Sequence, residues 1–175
     1  MRDNPDMRRL LFWGLVLVVA AAALWWTQLR PREARVEVFF VGPADGGSTL
    51  VPVVRTVRGR RADELLAAAL EALLAGPTPQ ERARGLATEI PAGTRLRALQ
   101  LREGVVVVDV SGDVERGGGA TSMQARLWQL VYTATQLPDA RQVRLLIDGE
   151  ARPALGGEGL VIDRPLGRPP VFPRF

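Results

Sequence analysis

The sequence predicts an α+β fold: a mostly antiparallel sheet of about five strands with two long helices packed on one face, behind an N-terminal transmembrane helix. Strand-like and helix-like segments follow one another in the order strand, strand, helix, strand, strand, helix, strand. Asp-Gly and Glu-Gly pairs, which favour tight hairpins, close several of the strands. An uncharged apolar run at residues 10–29 precedes this whole pattern.

The apolar run reads LLFWGLVLVVAAAALWWTQL and carries no charged side chain. As a helix it spans roughly 30 Å, the thickness of a bilayer hydrocarbon core. Trp25 and Trp26 stand near one end, where indole rings favour the lipid headgroup layer. A cleaved signal peptide is the alternative, with Ala21–Ala23 offering a small-residue cleavage site. Because the apolar run continues through Trp26, the sequence favours a retained anchor in contact with membrane lipid.

The anchor sets the predicted organisation of the chain. Arginines on its two flanks are equal in number, so the short N-terminal tail decides the orientation: such a tail before a first span usually stays in the cytoplasm. We therefore expect a single-pass cell-membrane protein whose domain lies on the extracytoplasmic side. The predicted parts are a cytoplasmic tail at 1–9, a transmembrane helix at 10–29, a linker at 30–35, a domain at 36–164 and a Pro-rich tail at 165–175, which we expect to be extended or disordered.

The first half of the domain begins with two predicted strands. Arg35–Val41 and Leu50–Val57 are rich in Val and Phe, and Asp45-Gly46 between them is a hairpin signal. Pro52 has no N–H to donate to a sheet, which indicates an edge strand or a bulge. Asp63–Ala75 has apolar residues at helical spacing and ends at Gly76. A capping box at Thr78–Glu81 predicts a short second helix to about Arg84.

The second half repeats the pattern. Two strands, Arg95–Leu101 and Val105–Val110, are predicted to form a hairpin at Glu103-Gly104. A mobile Gly-rich connection follows, and Thr121 or Ser122 is the predicted cap of the next helix. That helix shows an apolar stripe and is stopped by Pro138. The remaining predicted strands are Gln142–Ile147 and a short edge strand, Leu160–Asp163; the apolar stripe comprises Met123, Leu127, Leu130, Val131 and Ala134.

Composition excludes several classes of function. The chain has no Cys and no His, which removes disulfides, thiol nucleophiles, His-based triads and nearly all zinc sites. Its net charge of +4 is concentrated near the apolar run: residues 1–35 carry six Arg and three acids, and residues 36–175 carry 17 Arg and 16 acids. Because charges in the domain nearly cancel, we expect no nucleic-acid partner.

Acidic residues near the Gly-rich connection are the one candidate for chemistry. Asp109 and Asp113 flank Ser111, and Asp148 ends another strand. Converging carboxylates would suit an envelope hydrolase or a ligand-binding protein. However, acids at strand ends more often bond backbone amides in turns, and Ser111 has no neighbouring base. The Gly-rich connection also lacks the spacing of a phosphate-binding loop. We therefore expect no enzyme, no catalytic residue, no metal and no cofactor.

A contact surface is the alternative to chemistry. Tyr132 and Gln136 are four residues apart on one flank of the second long helix, where we expect them to be exposed. Arg55 and Val57 lie on the second predicted strand, which could pair with a partner by edge addition. The expected partners are other envelope proteins or a second copy of the chain.

Five segments together resemble the GerMN domain of sporulation and spore-germination proteins. The similarity covers roughly Val36–Arg164 and rests on the motifs A-G-P-T, I-P-x-G-T, V-D-V-S, V-Y-T-x-T-Q and D-G. The segments are LEALLAGPTPQE (Leu70–Glu81), GLATEIPAGTRL (Gly85–Leu96), GVVVVDVS (Gly104–Ser111), QLVYTATQLPDARQV (Gln129–Val143) and LLIDGE (Leu145–Glu150).

The resemblance implies a non-catalytic module of the cell envelope that acts by protein–protein assembly, in sporulation, germination or envelope assembly. Members of this family are commonly anchored and face outward. Many carry a lipid-modified Cys, whereas this chain has the apolar run at 10–29 in its place. The chain also holds one copy of the domain, where some relatives hold two. Function argued from fold remains an analogy.

Overall fold

The computed structural model describes residues 13–20, 32–156 and 159–175. The chain divides into two units, Met1–Arg32 and Glu33–Phe175. In the first unit, residues 13–20 are helical with exposed side chains. The predicted transmembrane helix at 10–29 falls partly, and the predicted tail at 1–9 wholly, outside the described residues. Within the described ranges, no helix is both long enough and apolar enough to span a bilayer.

The second unit is a mixed α+β domain with seven described strands and three described α-helices. The strands are β1 (Arg32–Ala44), β2 (Gly47–Gly59), β3 (Leu96–Arg102), β4 (Val105–Val110), β5 (Gln142–Ile147), β6 (Ala154–Leu155) and β7 (Leu160–Val161). The helices are α1 (Ala62–Leu74), α2 (Pro79–Ala83) and α3 (Ala120–Ala134), with a 3-10 turn at Gly112–Glu115.

The strands form three separate small sheets rather than the single sheet that the sequence predicted. β1 pairs with β2, β6 pairs with β7, and β4 lies between β3 and β5. The β3–β4 hairpin is antiparallel as predicted, and its turn residues Glu103 and Gly104 have φ of 51° and 84°. β4 and β5 are parallel, which corrects the antiparallel prediction. Because α3 connects these two strands, the chain returns to the same end of the sheet and enters β5 in the direction of β4.

Both long helices pack with the same face of the central sheet. Alternate residues of β4 and β5 point to this face, including Val106, Val108 and Leu145, which are fully or almost fully buried. Leu70 of α1 and Leu130 of α3 belong to the same buried cluster. The predicted stripes are confirmed. Of the α1 stripe, Leu66, Leu70 and Leu73 are buried and Leu74 is partly buried against the core. The α3 stripe is buried throughout and comprises Met123, Leu127, Leu130, Val131 and Ala134.

The Gly-rich connection before α3 is organised by a buried arginine. The guanidinium of Arg126 is 3% exposed and donates to the carbonyls of Val114, Arg116 and Gly117. Burial lowers the pKa of Arg126, and the charge of Glu89 acts in the opposite direction. The predicted mobile loop is therefore tied to the helix that follows it.

The start of α3 differs from the sequence prediction. The helix begins after Gly119, whose backbone takes the N-cap position without a side-chain bond. Ser122 was a predicted cap, but its hydroxyl instead donates to Glu89 and accepts from Arg126. The carboxylate of Glu89 is thereby held at the first turn of α3, where a negative charge is favourable.

The Pro-rich tail is extended and packs on the domain. Leu166 pairs with Val143 of β5, and Phe175 exchanges two backbone hydrogen bonds with Ser48 of β2. Between these points, Arg168 lies over the ring of Tyr132 at 4.8 Å. Of the two states predicted for the tail, the extended one is therefore the one observed.

Candidate interaction surface

From Glu37 to Phe39, the outer edge of β1 is closed by a polar stripe formed by α3 and by Gln136 just after it. Gln129 donates from its amide nitrogen to the carbonyl of Phe39 at 3.0 Å, and the hydroxyl of Thr133 accepts from the N–H of Phe39 at 3.2 Å. One turn further, Gln136 accepts from the N–H of Glu37 and donates to its carbonyl. The three side chains therefore replace a neighbouring strand.

Helical spacing lets the side chains of the stripe reach the backbone of β1. Positions 129 and 133 are one turn apart on α3, so their side chains lie on one face of the helix, and Gln136 follows directly after the C-cap Thr135. Gln129 and Thr133 are fully buried, and every backbone group they satisfy would otherwise be buried without a partner. Further along, β1 is completed by a backbone pair between Val41 and Ala87. Gln136 is half-buried, and its amide is occupied by this pairing.

The outer edge of β2 is different, since it stays open along most of its length. Ser48 points its N–H and carbonyl outward, where they bond Phe175 of the tail. Alternate residues of a regular strand share this direction, so Pro52, Val54 and Thr56 also point outward. Within residues 32–156 and 159–175, no backbone hydrogen bond to another segment is made along this edge from Leu50 to Gly59. The absence of an N–H at Pro52 costs the hairpin nothing there, which confirms the predicted edge strand.

Tyr132 is not an exposed residue, which corrects the sequence prediction. Tyr132 is 3% exposed, and the centroid of its ring lies 5.3 Å from that of Phe39 and 5.0 Å from that of Phe172. Arg168 stacks on the ring of Tyr132 and donates to its backbone carbonyl. Burial raises the pKa of the Tyr132 hydroxyl, and the charge of Arg168 acts in the opposite direction. Tyr132 therefore anchors the tail.

Arg55 of β2 is already paired within the chain. Both guanidinium nitrogens donate to the carboxylate of Glu81, at 2.5 and 2.6 Å, and the group lies 5.7 Å from the ring of Phe40. The hydrogen bond from Arg55 holds the pKa of Glu81 at about 2, below its usual 4.5. Val57 is half-buried on the same strand. Whether Arg55 and Val57 contact a partner stays a prediction.

The three candidate acids bond the domain itself. Asp109 accepts from the N–H of Gly149 at 2.9 Å, and Asp148 accepts from the N–H of Gly112 at 3.1 Å. Arg97 lies between these two carboxylates, at 3.3 and 3.4 Å. Asp113 accepts from the hydroxyl of Ser111 at 3.0 Å and pairs with Arg116. These contacts hold the turns at the strand ends.

A cavity of about 740 Å³ lies elsewhere, at the C-terminal end of α3. It is open to solvent, and its lining includes Arg141, Arg168 and Gln142, with Glu103 as its one acid. None of the three candidate acids lines it. Among the described residues, no group of three or more acidic side chains is arranged to hold a metal ion.

The polar stripe on α3 was missed by sequence reasoning. Its signal was present, because Gln129 and Thr133 interrupt the apolar C-terminal half of the helix at a spacing of four, and Gln136 follows three residues later. Such a stripe in a largely buried helix indicates polar partners on one side, since a buried amide without a hydrogen bond is costly.

Comparisons with known proteins agree with this geometry. A family model described as "Germane: Sporulation and spore germination" matches residues 37–152. Among solved structures, the tandem GerMN domains of the sporulation protein GerM from Bacillus subtilis share 21% identity over 78% of this chain, with a TM-score of 0.64. This chain spans 46% of that protein. A search of curated proteins gives no match.

Two single-domain structures are also similar. The first GerMN domain of the same Bacillus subtilis protein shares 20% identity over 77% of this chain and 98% of that domain, with a TM-score of 0.59. A putative lipoprotein from Clostridium perfringens shares 24% identity over 78% of this chain and 88% of its own, with a TM-score of 0.56. These similarities show the fold.

Proposed function

Because the chain belongs to the Germane family of sporulation and spore germination proteins, we propose that it is a membrane-anchored, non-catalytic interaction protein of the cell envelope. Its domain would lie on the extracytoplasmic side and bind other envelope proteins or a second copy of itself. The process would be sporulation, germination or envelope assembly.

The observation that carries the proposal is the use of the polar side chains. The acids that would serve a hydrolase accept hydrogen bonds from Gly112, Gly149 and Arg97, so their carboxylates stabilise turns. Meanwhile β2 presents a long open edge, which is a common mode of protein–protein contact. The polar groups of the domain therefore support its own folding, and its unused bonding capacity lies on a strand edge.

Two further observations support the envelope location. The apolar run at 10–29 is long enough for one bilayer crossing. In addition, one structural relative is described as a putative lipoprotein. Both favour attachment to a membrane, by a different means in each protein.

The proposal is tested by fractionation and partner capture. Full-length chain from its source cells should stay in the membrane pellet after a carbonate wash, and detergent extracts should yield envelope proteins bound to it. Replacing the half-exposed Asp148 by Asn should leave sporulation and germination unchanged. Release of the chain by carbonate, or turnover of a substrate that is lost in Asp148→Asn, would contradict the proposal.

A further inference from the structure

We propose that the open edge of β2, from Val54 to Arg58, pairs antiparallel with the same strand of a second copy of this chain, with Thr56 at the two-fold axis. The inference rests on the interaction role proposed above and names its partner. The contact would join two β1–β2 hairpins into one four-stranded sheet.

The first step is that this edge accepts an antiparallel strand. Arg174 of the tail forms an antiparallel bridge with Thr49, and the next residue, Phe175, exchanges both backbone bonds with Ser48. The tail stops adding to the sheet at Pro173, which has no N–H and gives only its carbonyl, to the hydroxyl of Thr49. The rest of the edge has the same geometry and no such partner within the described residues.

Hydrogen bonding selects the register. Val54, Thr56 and Arg58 each have an outward N–H and carbonyl, so pairing about Thr56 gives about six interchain hydrogen bonds. Pairing about Val54 would set Thr56 against Pro52, which has no N–H, and would bring the partner into the positions that the tail occupies near Thr49. The edge therefore complements itself in the Thr56 register.

Charge selects the same register. Pairing about Arg58 would place two arginines directly opposite each other, which is destabilising. About Thr56, Arg58 instead faces the partner's Val54, and Arg55 faces the partner's Val57. Both arginines are also neutralised within their own chain, Arg55 by Glu81 and Arg58 by Glu33.

Exposure of an apolar side chain supports the contact. Val54 is 60% exposed, although it is a β-branched residue in a regular strand. In the Thr56 register it would pack against the aliphatic part of the partner's Arg58, on the same face of the new sheet. Unpaired charges and prolines usually protect a strand edge from pairing with another chain. Between Val53 and Val57 there is no proline, and the one charged residue, Arg55, is paired with Glu81.

Single cysteines test the register, since the chain has no Cys of its own. Directly opposed residues in a hydrogen-bonded antiparallel pair have Cα atoms about 5.5 Å apart, within disulfide range. We expect full-length Thr56→Cys, in native membranes under mild oxidant, to form at least about fivefold more covalent dimer than Val54→Cys or Gln100→Cys. Gln100 is an exposed strand residue on β3 and is the matched control.

Two substitutions of opposite charge at position 54 provide a second test of the register. In the Thr56→Cys background, Val54→Arg would face the partner's Arg58 and should lower the dimer yield about threefold, whereas Val54→Glu should keep or raise it. Because Val54 is exposed, neither change should alter the circular dichroism spectrum or the melting temperature of the reduced, dilute monomer.

Three outcomes would overturn the inference. They are a Thr56→Cys dimer yield no higher than that of Gln100→Cys, an equal yield from Val54→Cys, and equal yields in the Val54→Arg and Val54→Glu backgrounds. If Val54→Arg instead abolished capture of a different envelope protein and no covalent dimer formed, the edge would belong to that protein. Any of these results with the chain still retained in membranes would leave the proposed function standing.

Discussion

The two outer edges of the β1–β2 hairpin have the same backbone chemistry, but one is hydrogen-bonded to a helix and the other is largely open. On β1, the amide of Gln129 and the hydroxyl of Thr133 satisfy Phe39, and both side chains are fully buried. On β2, only the first residues are covered, by the tail, and Val54 remains exposed. One edge is thus part of the core, and the other is available to a partner.

The difference shows how a small domain can restrict strand addition to one of the two edges of a hairpin. An exposed strand edge risks unspecific pairing, and covering it with a helix is one remedy. Here the helix covers the edge with side-chain amides and hydroxyls, which also fixes the register between α3 and β1. Among the described residues, the outer edge of β1 is occupied from Glu37 to Val41, so over that length a further strand can add only on the β2 side.

Removing the glutamine of the closed edge should have the largest effect. Besides bonding Phe39, Gln129 accepts from the N–H of Glu89 at 2.9 Å. Gln129→Leu would leave a buried carbonyl and an amide N–H without partners, at a cost of about 3 kcal/mol in the free energy of unfolding. Urea denaturation of the detergent-solubilised chain, followed by circular dichroism, measures it. A loss below about 0.5 kcal/mol would show that the edge does not depend on this side chain.

Thr133→Val should also destabilise the closed edge, but by less than Gln129→Leu. Valine has nearly the same shape, so the change removes only the acceptor for the N–H of Phe39. We expect a loss of about 1.5 kcal/mol in the same urea experiment, since one buried donor is left unpaired. Thr56→Val on the open edge is the matched control and should be close to neutral. Equal losses at positions 133 and 56 would remove the distinction between the edges.

The elements whose causes are local could be predicted from the sequence. α1, the Glu103-Gly104 turn and the Thr78–Glu81 capping box depend on residues a few positions apart, and the structure contains all three. Asp45-Gly46 likewise forms the predicted two-residue turn of the hairpin. Propensity and spacing decide such features before any tertiary contact forms.

What could not be predicted depends on distant contacts. Phe39 and Gln129 are 90 residues apart in sequence, so the polar stripe indicates buried polar partners but not which strand edge supplies them. The same holds for the burial of Tyr132 under Arg168, 36 residues away. The parallel pairing of β4 and β5 was missed because the continuous apolar run at Val105–Val108 shows that β4 is a strand, but not in which direction its neighbour runs. Of the candidate contact surface, only the edge character of β2 followed from a residue's own chemistry, at Pro52.

Acid should weaken the ion pair between Arg55 of β2 and Glu81, and with it the free energy of unfolding. Because the pKa of Glu81 in the folded state, about 2, lies below its usual 4.5, the pair with Arg55 stabilises the fold fully above about pH 4.5 and loses this contribution as the pH falls toward 2. Glu81→Gln keeps a capping side chain but loses the charge. We expect it to lower the free energy of unfolding by about 1 kcal/mol at pH 7, because water partly screens the pair, and by much less at pH 2.5.

A second ion pair on the same strand provides the control for this pH dependence. Arg58 and Glu33 are both largely exposed, so Glu33→Gln should change stability little at either pH. If Glu81→Gln destabilised the chain equally at pH 7 and pH 2.5, the effect would come from the shape of the side chain and not from its charge.

The smallest effect is expected where the tail meets the closed edge. The guanidinium of Arg168 lies 5.3 Å from the ring of Phe39 and 4.8 Å from that of Tyr132, and it donates to Thr135 and to the Tyr132 carbonyl. Since Arg168 is exposed, Arg168→Ala should cost only about 0.5–1 kcal/mol. It should nevertheless speed hydrogen exchange at the N–H of Phe175, because the tail would lose its contacts midway between Leu166 and Phe175. Unchanged exchange there would mean that the bonds to Ser48 hold the tail without Arg168, so that the cover on the first residues of β2 is independent of the closed edge.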